Sequence, residues 1–509
     1  MMKQLITIFR LVLVAAVAMT LCLTATAEAA LQDGLVANWT FDDGAGATTV
    51  LDSVGGNNAT LVSGTWDAGL LGGSLAFDGI VDGALVGDQP GLDLGTTAMT
   101  LATWVKLDAL PADQPNSFGA IYDATEDAYV LYTDKGNNEL RFKVTATDAA
   151  GNYKGAARPG IAASLLDTTG WHHVAGVFDG YSVSMFYDGQ LVDMHGITGP
   201  GGQVKSGQVA GIGLQPGDPL AAPIVPDDGF FDGSVDDMAI WNRALSTAEI
   251  GHLYNAGTGN AVLASNPVLP PNPAAAAPAL KLNFEGNLLN SGSGGAAYDG
   301  TMVGANGTMS YVAGVSGLAV DLAQDVQMGA DGVHVEVDYT MPEEGTMTFR
   351  AKPGDFYNYL SVLDNSLNNA NWEMWVYGDG RARFRINGNA YVTYNLNDLS
   401  GPNEWYDFAV TWKKGVDTDQ VGLSMFIDGE HVSGDTGTWV APGAKIGIGG
   451  GVNVGNPAGE IAFDDFRIYE EVLSTEEIRA LAVPEPSTIA LLISALALLI
   501  VRPITRKKA

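Results

Sequence analysis

GWHHVAGVFDGYSVSMFYDGQLV, residues Gly170–Val192, is the stretch whose reading decides the fold. Its apolar residues alternate with polar or small ones, which is the period of a half-buried strand and not of a helix. Two such runs flank Tyr187-Asp188-Gly189, and an Asp-Gly pair between alternating runs signals a tight hairpin. The pattern returns at residues 404–432 as EWYDFAVTWKKGVDTDQVGLSMFIDGEHV, with Ile427-Asp428-Gly429 at its turn.

Outward from these hairpins the repetition continues in the same order. VANWTFDD at Val36 and LKLNFEG at Leu280 each open on a short strand ending in Phe and an acid. FDGSVDDMAIWNRALSTAEI from Phe231 and AGEIAFDDFRIYEEVLSTEEI from Ala458 each close it. A period as long as that from Trp171 to Trp405 is too great for a solenoid and implies two complete tandem domains. In the closing segments Ser246 and Ser474 stand three residues before Glu249 and Glu477, the spacing of a capping box, so one short helix ends each β domain. Residues 259–279 between the domains hold Pro267, Pro270, Pro271, Pro273 and Pro278 with Ala274–Ala277, a semi-rigid spacer. The expected organisation is a signal at 1–29, β domains at 30–258 and 280–482, the linker 259–279, and a tail at 483–509.

The 509 residues include 65 Gly without a Gly-X-Y period, which excludes collagen, and 46% apolar residues, too many for a disordered acidic chain. The net charge is −33, and both ends are the basic parts, so the central region is more acidic still. Such a surface repels phosphate backbones, which excludes nucleic acid as a partner, and attracts divalent cations. Lys3 and Arg10 precede the apolar run Leu11–Leu23 and the small-residue site Ala27-Glu28-Ala29, a secretory signal with cleavage near Ala29. The one cysteine, Cys22, lies inside that signal, so the exported domains carry no disulfide or thiolate site. Leu21 before it is too large for a lipid-attachment motif.

The order of Phe-acid opening, TWVK from Thr103, GWHHVAGVFDG…YDG and FDGSVDD…IWNRALSTAEI resembles the LamG-like members of the concanavalin A-like lectin/glucanase superfamily. The second copy is similar but more divergent, with TFRAKPGD from Thr348 in place of TWVKLD and Tyr406-Asp407 in place of the two histidines. The resemblance implies an all-β fold of two tandem antiparallel two-sheet jelly rolls, as the periodicity allows. At the C-terminus, Val483-Pro484-Glu485-Pro486, the apolar run Ser487–Val501 and the basic end at Arg506-Lys507-Lys508 resemble a PEP-CTERM sorting signal. That implies a Gram-negative bacterial protein processed by an exosortase-type enzyme near Pro484, Glu485 and Pro486. The apolar run spans about 22 Å as a helix against about 30 Å of hydrocarbon, a marginal span, and the basic end favours the cytoplasmic side. At least transient membrane anchoring with both domains outside follows.

Catalytic signatures are incomplete. Related laminarinase-type hydrolases carry three acids on one strand. Here Glu336 and Asp338 are correctly spaced but Thr340 or Met341 stands where the third acid belongs. The expectation is an acidic strand face and no enzyme. None of the six histidines has metal-ligand spacing, and His172 and His173 fall in a structural strand. Related jelly rolls hold a calcium ion where the opening strand meets the closing one, which by resemblance points to Asp42 with Asp237 and to Glu285 with Asp465. The alternative is that these carboxylates cap turns and face water. For a ligand, NNANWEMWVYGDGRARFRINGNAYVTYN from Asn368 combines aromatic, amide and charged groups. Alternation puts Glu373, Trp375 and Tyr377 on one face and Trp372, Met374 and Val376 on the other, so either Trp372 or Trp375 packs in the core. Trp372, Trp375 and Tyr377 are the candidate ligand-binding residues, with Tyr122, Tyr129 and Tyr132 a weaker set in the first domain. The expected function is a non-catalytic surface or matrix protein binding an extracellular glycan or matrix protein. A purely structural matrix component is the second reading, and a polysaccharide hydrolase or lyase the third.

Overall fold

The alternating runs pair into two stacks of antiparallel sheets. The computed structural model describes residues 31–87, 89–124, 128–197, 202–205, 209–217, 229–263, 277–304, 308–315, 317–323, 333–354, 360–364, 372–377, 379–386, 390–449 and 461–482. The predicted signal with Ala29 and the tail with Pro484, Glu485 and Pro486 lie outside them. Among the described residues no helix is long and apolar enough to cross a membrane.

In the first copy one sheet runs in the spatial order Gln190–Gly196, Ser182–Tyr187, His172–Phe178, Met99–Leu107, Asp232–Trp241, Gly73–Asp78, Thr65–Ala68. The facing sheet is built around Glu139–Thr147, Tyr129–Asp134, Phe118–Ala124, Ala210–Ile212 and Gly83–Val86. The second copy repeats the plan. Its closing strand Ile461–Tyr469 lies beside Glu344–Pro353, followed by Tyr406–Lys414, Gln420–Ile427 and Glu430–Thr438. The facing sheet there includes Leu360–Asp364, Trp372–Val376, Arg381–Ile386 and Ala390–Asn395.

Each pair of sheets encloses one core. Trp39, Tyr122, Tyr129, Phe142 and Phe178 fill the first, and Trp372, Phe384, Phe408, Trp412 and Phe463 the second. The hairpins form as read. Asp188 and Gly189 have φ of 49° and 77°, Asp428 and Gly429 of 53° and 79°, the left-handed pair that a two-residue turn of matching twist requires. Both helices are capped as expected. Ser246 N–H donates to Glu249 Oε2 at 2.8 Å and Ser474 N–H to Glu477 Oε2 at 2.7 Å, with the reciprocal Glu N–H to Ser Oγ bonds both at 3.3 Å. The helix Thr247–Tyr254 lays Ile250 and Leu253 on Ala175, Phe186 and Trp241, sealing the outer side of its sheet; Ile478 does the same on Ala409 and Phe426.

The two copies meet along edge strands. Gly196 faces the backbone of Asp435, Gly422 faces the carbonyl of Met194, and Gly434 faces the carbonyl of Tyr181, each so closely that a Cβ would collide. Absence of side chains there lets backbone approach backbone. His431 lies against Phe426 and Tyr181 with ring centroids 4.3 and 4.4 Å away, and its Nδ1 is 3.0 Å from Asp179 Oδ2 of the first copy. Gly196→Val is therefore expected to part the copies. Small-angle scattering would read a larger radius of gyration while circular dichroism keeps the same strand content; an unchanged radius would contradict this junction.

Candidate functional site

The closing strand of each copy changes partner half-way along. Asp232–Trp241 pairs with Gly73–Asp78 through residues 232–235 and with Leu35–Trp39 through residues 238–241, while Met99–Leu107 flanks its other edge. The switch is made by a bulge in which Asp237 takes φ 44°. Phe41, 1% exposed, takes φ 57°, a costly conformation for a bulky residue, and so turns Asp42 back toward the bulge. Gly73 N–H donates to Asp42 Oδ1 at 2.6 Å, and Leu70 and Leu71 N–H donate to Asp236 Oδ2 at 2.7 and 2.8 Å. Asn38 Nδ2 donates to Asp237 Oδ1 at 3.1 Å.

This arrangement leaves oxygens in excess. Asp236 and Asn38 are fully buried, and the Oδ1 of each has no hydrogen-bond partner. Burial pushes Asp236 and Asp237 up to about 6, and the charge on Asp42 adds to the rise in both. No lysine or arginine pairs with these carboxylates among the described residues. Asp42 and Asp237 are thus brought together as the sequence pointed to, and Asp236 joins them unpredicted. Among the described residues no three acidic or imidazole side chains stand close enough to form a finished metal cage, so a bound cation would draw further oxygens from the backbone.

The second copy has the same backbone and a different electrostatic solution. Phe284 takes φ 56° and Asp465 φ 52°. Glu285 Oε2 accepts from Leu318 N–H at 3.2 Å, and Asp464 Oδ2 from Val315 N–H at 2.9 Å. The cross-strand neighbours Asn38 and Ala239 of the first copy are replaced by Lys281 and Arg467. Arg467 donates from Nε to Asp465 Oδ1 at 2.8 Å, and its Nη2 also reaches that carboxylate. At the pair where the resemblance points to a cation, Glu285 and Asp465, a guanidinium already pairs with the bulge carboxylate.

The outer face of the second copy's other sheet holds the remaining candidates. Trp372 is corrected to a core residue. It is fully buried, edge-on to Phe384, Trp412 and Trp439, with its Nε1 donating to Val440 O at 2.9 Å. Trp375 points outward but is only 9% exposed, its Nε1 donating to Glu373 Oε2 at 3.0 Å. Tyr377 is half-buried beside Arg381 and Arg383, and Tyr391, 41% exposed, lies against Arg383. In the first copy Tyr122 and Tyr129 are core residues. Glu336 and Asp338 share Lys445, the second contact being 3.5 Å, which leaves them an ion-paired strand face.

A family model described as the concanavalin A-like lectin/glucanases superfamily matches residues 78–251 and 327–479. The chain belongs to this superfamily. No curated protein sequence matches it. Among solved structures, domain 4 of AbnA, an extracellular arabinanase from Geobacillus stearothermophilus in complex with arabinotriose, is 18% identical over 41% of this chain and 99% of its own, with a TM-score of 0.31. Domains LG4-5 of the mouse laminin alpha1 chain are 12% identical over 81% of this chain and 92% of theirs, with a TM-score of 0.24. The chain spans half the length of HCR/D-Sa-GBL1/C, at 16% identity over 40% of this chain and a TM-score of 0.31.

In this laminin G-like pair, equivalent aspartates sit in opposite surroundings, so the same substitution has opposite signs. Raised carboxyl values mean that charge at Asp237 opposes folding above about pH 6, and stability in the absence of divalent cations falls as pH rises from about 4 to 6. With EDTA at pH 7.5, Asp237→Asn is expected to raise the thermal midpoint. Asp465→Asn strands Arg467 and is expected to cost about 1–3 kcal/mol. Denaturation of the two variants checks this; shifts of the same sign would refute it.

Proposed function

We propose that this chain is an exported, non-catalytic surface or matrix protein whose second copy binds an extracellular saccharide and whose first copy is stabilised by calcium. One observation carries the saccharide reading: the outward face of Trp372–Val376, Arg381–Ile386 and Ala390–Asn395 presents Tyr377, Tyr391, Arg383, Arg385 and Glu373 side by side. Aromatic planes flanked by charged groups with fixed hydrogen-bonding edges are what a sugar ring needs for stacking and orientation. The ion pairs of Glu336 and Asp338 with Lys445 support a non-catalytic reading, because neither acid stands as a free nucleophile or proton donor. Calcium is supported by the unpartnered oxygens of Asp236 and Asn38 beside Asp42 and Asp237, a hard-oxygen set without an internal cation. The leader ending near Ala29 and the tail at Pro484, Glu485 and Pro486 support export and exosortase-type processing.

A glycan array probed with the purified protein tests the binding role. Retention of defined saccharides, lost at least tenfold in Tyr391→Ala, is the expected outcome. Retention of matrix proteins and no glycan would favour the structural reading, and release of reducing ends from polysaccharide would overturn the non-catalytic one. Calcium is expected to raise the thermal midpoint of the protein. The rise should vanish in Asp237→Asn and persist in Asp465→Asn; no rise in the unaltered protein would remove calcium from the proposal.

A further inference from the structure

Arg383 is a guanidinium whose natural counter-charge is missing. Arg381, Arg383 and Arg385 alternate with the core residues Ala382, Phe384 and Ile386, so all three point outward. Two of them are satisfied: Arg381 Nε meets Asp379 Oδ2 at 2.8 Å, and Arg385 meets Glu373. Arg383 has no carboxylate within ion-pair distance among the described residues, and its buried Nε has no hydrogen-bond partner. Instead it lies between two tyrosines, its guanidinium carbon 5.2 Å from the ring centre of Tyr377 and 4.6 Å from that of Tyr391. Its one described hydrogen bond, Nη1 to Tyr377 Oη, is long at 3.4 Å.

The first copy shows what the position ordinarily takes. Arg141 is opposite Tyr132 as Arg383 is opposite Trp375, and Arg141 Nε donates to Glu139 Oε2 at 2.6 Å, with Asp134 Oδ2 3.4 Å from its Nη1. The residue two before the arginine, Glu139 in the first copy, is Arg381 in the second. The internal carboxylate has been exchanged for a cation, and the aromatic clamp holds the guanidinium in place without it. Stacking fixes the plane of the fork and leaves its edge to donate two parallel bonds to a carboxylate.

We propose that Arg383, clamped by Tyr377 and Tyr391, is the binding site for the carboxylate of a uronic-acid unit in the saccharide; this rests on the saccharide-binding reading above. The chain's net charge of −33 repels a continuous polyanion, so the ligand carries isolated acidic units on a neutral chain. Recognition is through the guanidinium and needs no metal.

Titration calorimetry in EDTA, with glucuronic acid-substituted xylotriose, its methyl ester and unsubstituted xylotriose, tests this on the whole protein. The acid is expected to bind at least tenfold more tightly than the ester. Arg383→Lys keeps the charge but not the fork and should remove most of that preference. Thermal melting confirms that the variant is folded, and Arg383→Gln, which removes the charge as well, provides a second test. Equal affinity for acid and ester overturns the carboxylate assignment and leaves saccharide binding standing. An acid preference that survives both variants also overturns it. Binding of none of the three sugars overturns the uronic-acid assignment, while the saccharide reading stands or falls on the glycan array.

Discussion

Each copy depends on a strand that must carry two adjacent carboxylates through the centre of a sheet. The bulges at Asp236-Asp237 and Asp464-Asp465 let the closing strand pair with one neighbour before the acids and another after them. Without that switch the opening strand would have no edge to join, and the Trp39 or Leu282 side chain would leave the core. A bulge alone does not make buried acids tolerable. One carboxylate in each pair takes backbone N–H donors from a facing turn, Leu70 and Leu71 in the first copy and Val315 in the second. The other needs a positive charge, and here the copies part. The second copy makes its cation from Arg467, two residues along the same strand and therefore on the same face. The first has alanine at that position and leaves an electronegative hollow.

Legibility followed the physical range of each interaction. The two Asp-Gly hairpins and the two capping boxes are decided within a few residues, so the string alone specified them. The jelly-roll pairing was legible because the same runs recur in the same order. The face of Trp372–Val376 was not, because both faces of that strand are apolar enough to enter a core; the neighbours Phe384, Trp412 and Trp439, distant in sequence, settle it. Asp236 was passed over because the resemblance pointed to Asp237, and adjacent residues on a regular strand point to opposite faces, which the bulge undoes. Arg467 could have been found by the same alternation rule applied to Asp465. The closeness of the two copies had no signal beyond glycine at Gly196, Gly422 and Gly434, residues that a turn-rich chain supplies everywhere.

Duplication also explains why only one of two equivalent arginine faces is available to a ligand. Arg141 is neutralised by Glu139 and Asp134 on a flank that lies near the junction, where the strand Gln190–Gly196 packs on the second copy. Arg383 is on the equivalent sheet of the second copy, beside an exposed Tyr391. Its aromatic clamp replaces a carboxylate with two quadrupoles, which hold a cation in place but take only one long hydrogen bond from it, Nη1 to Tyr377 Oη. A chain so acidic that it could have supplied a carboxylate almost anywhere pairs none with Arg383 among the described residues. That exception, set on a face where the Tyr391 ring reaches solvent, separates the two copies more sharply than their overall likeness suggests. The first copy spends its asymmetry on an acidic hollow with no cation of its own, the second on a cation with no acid of its own.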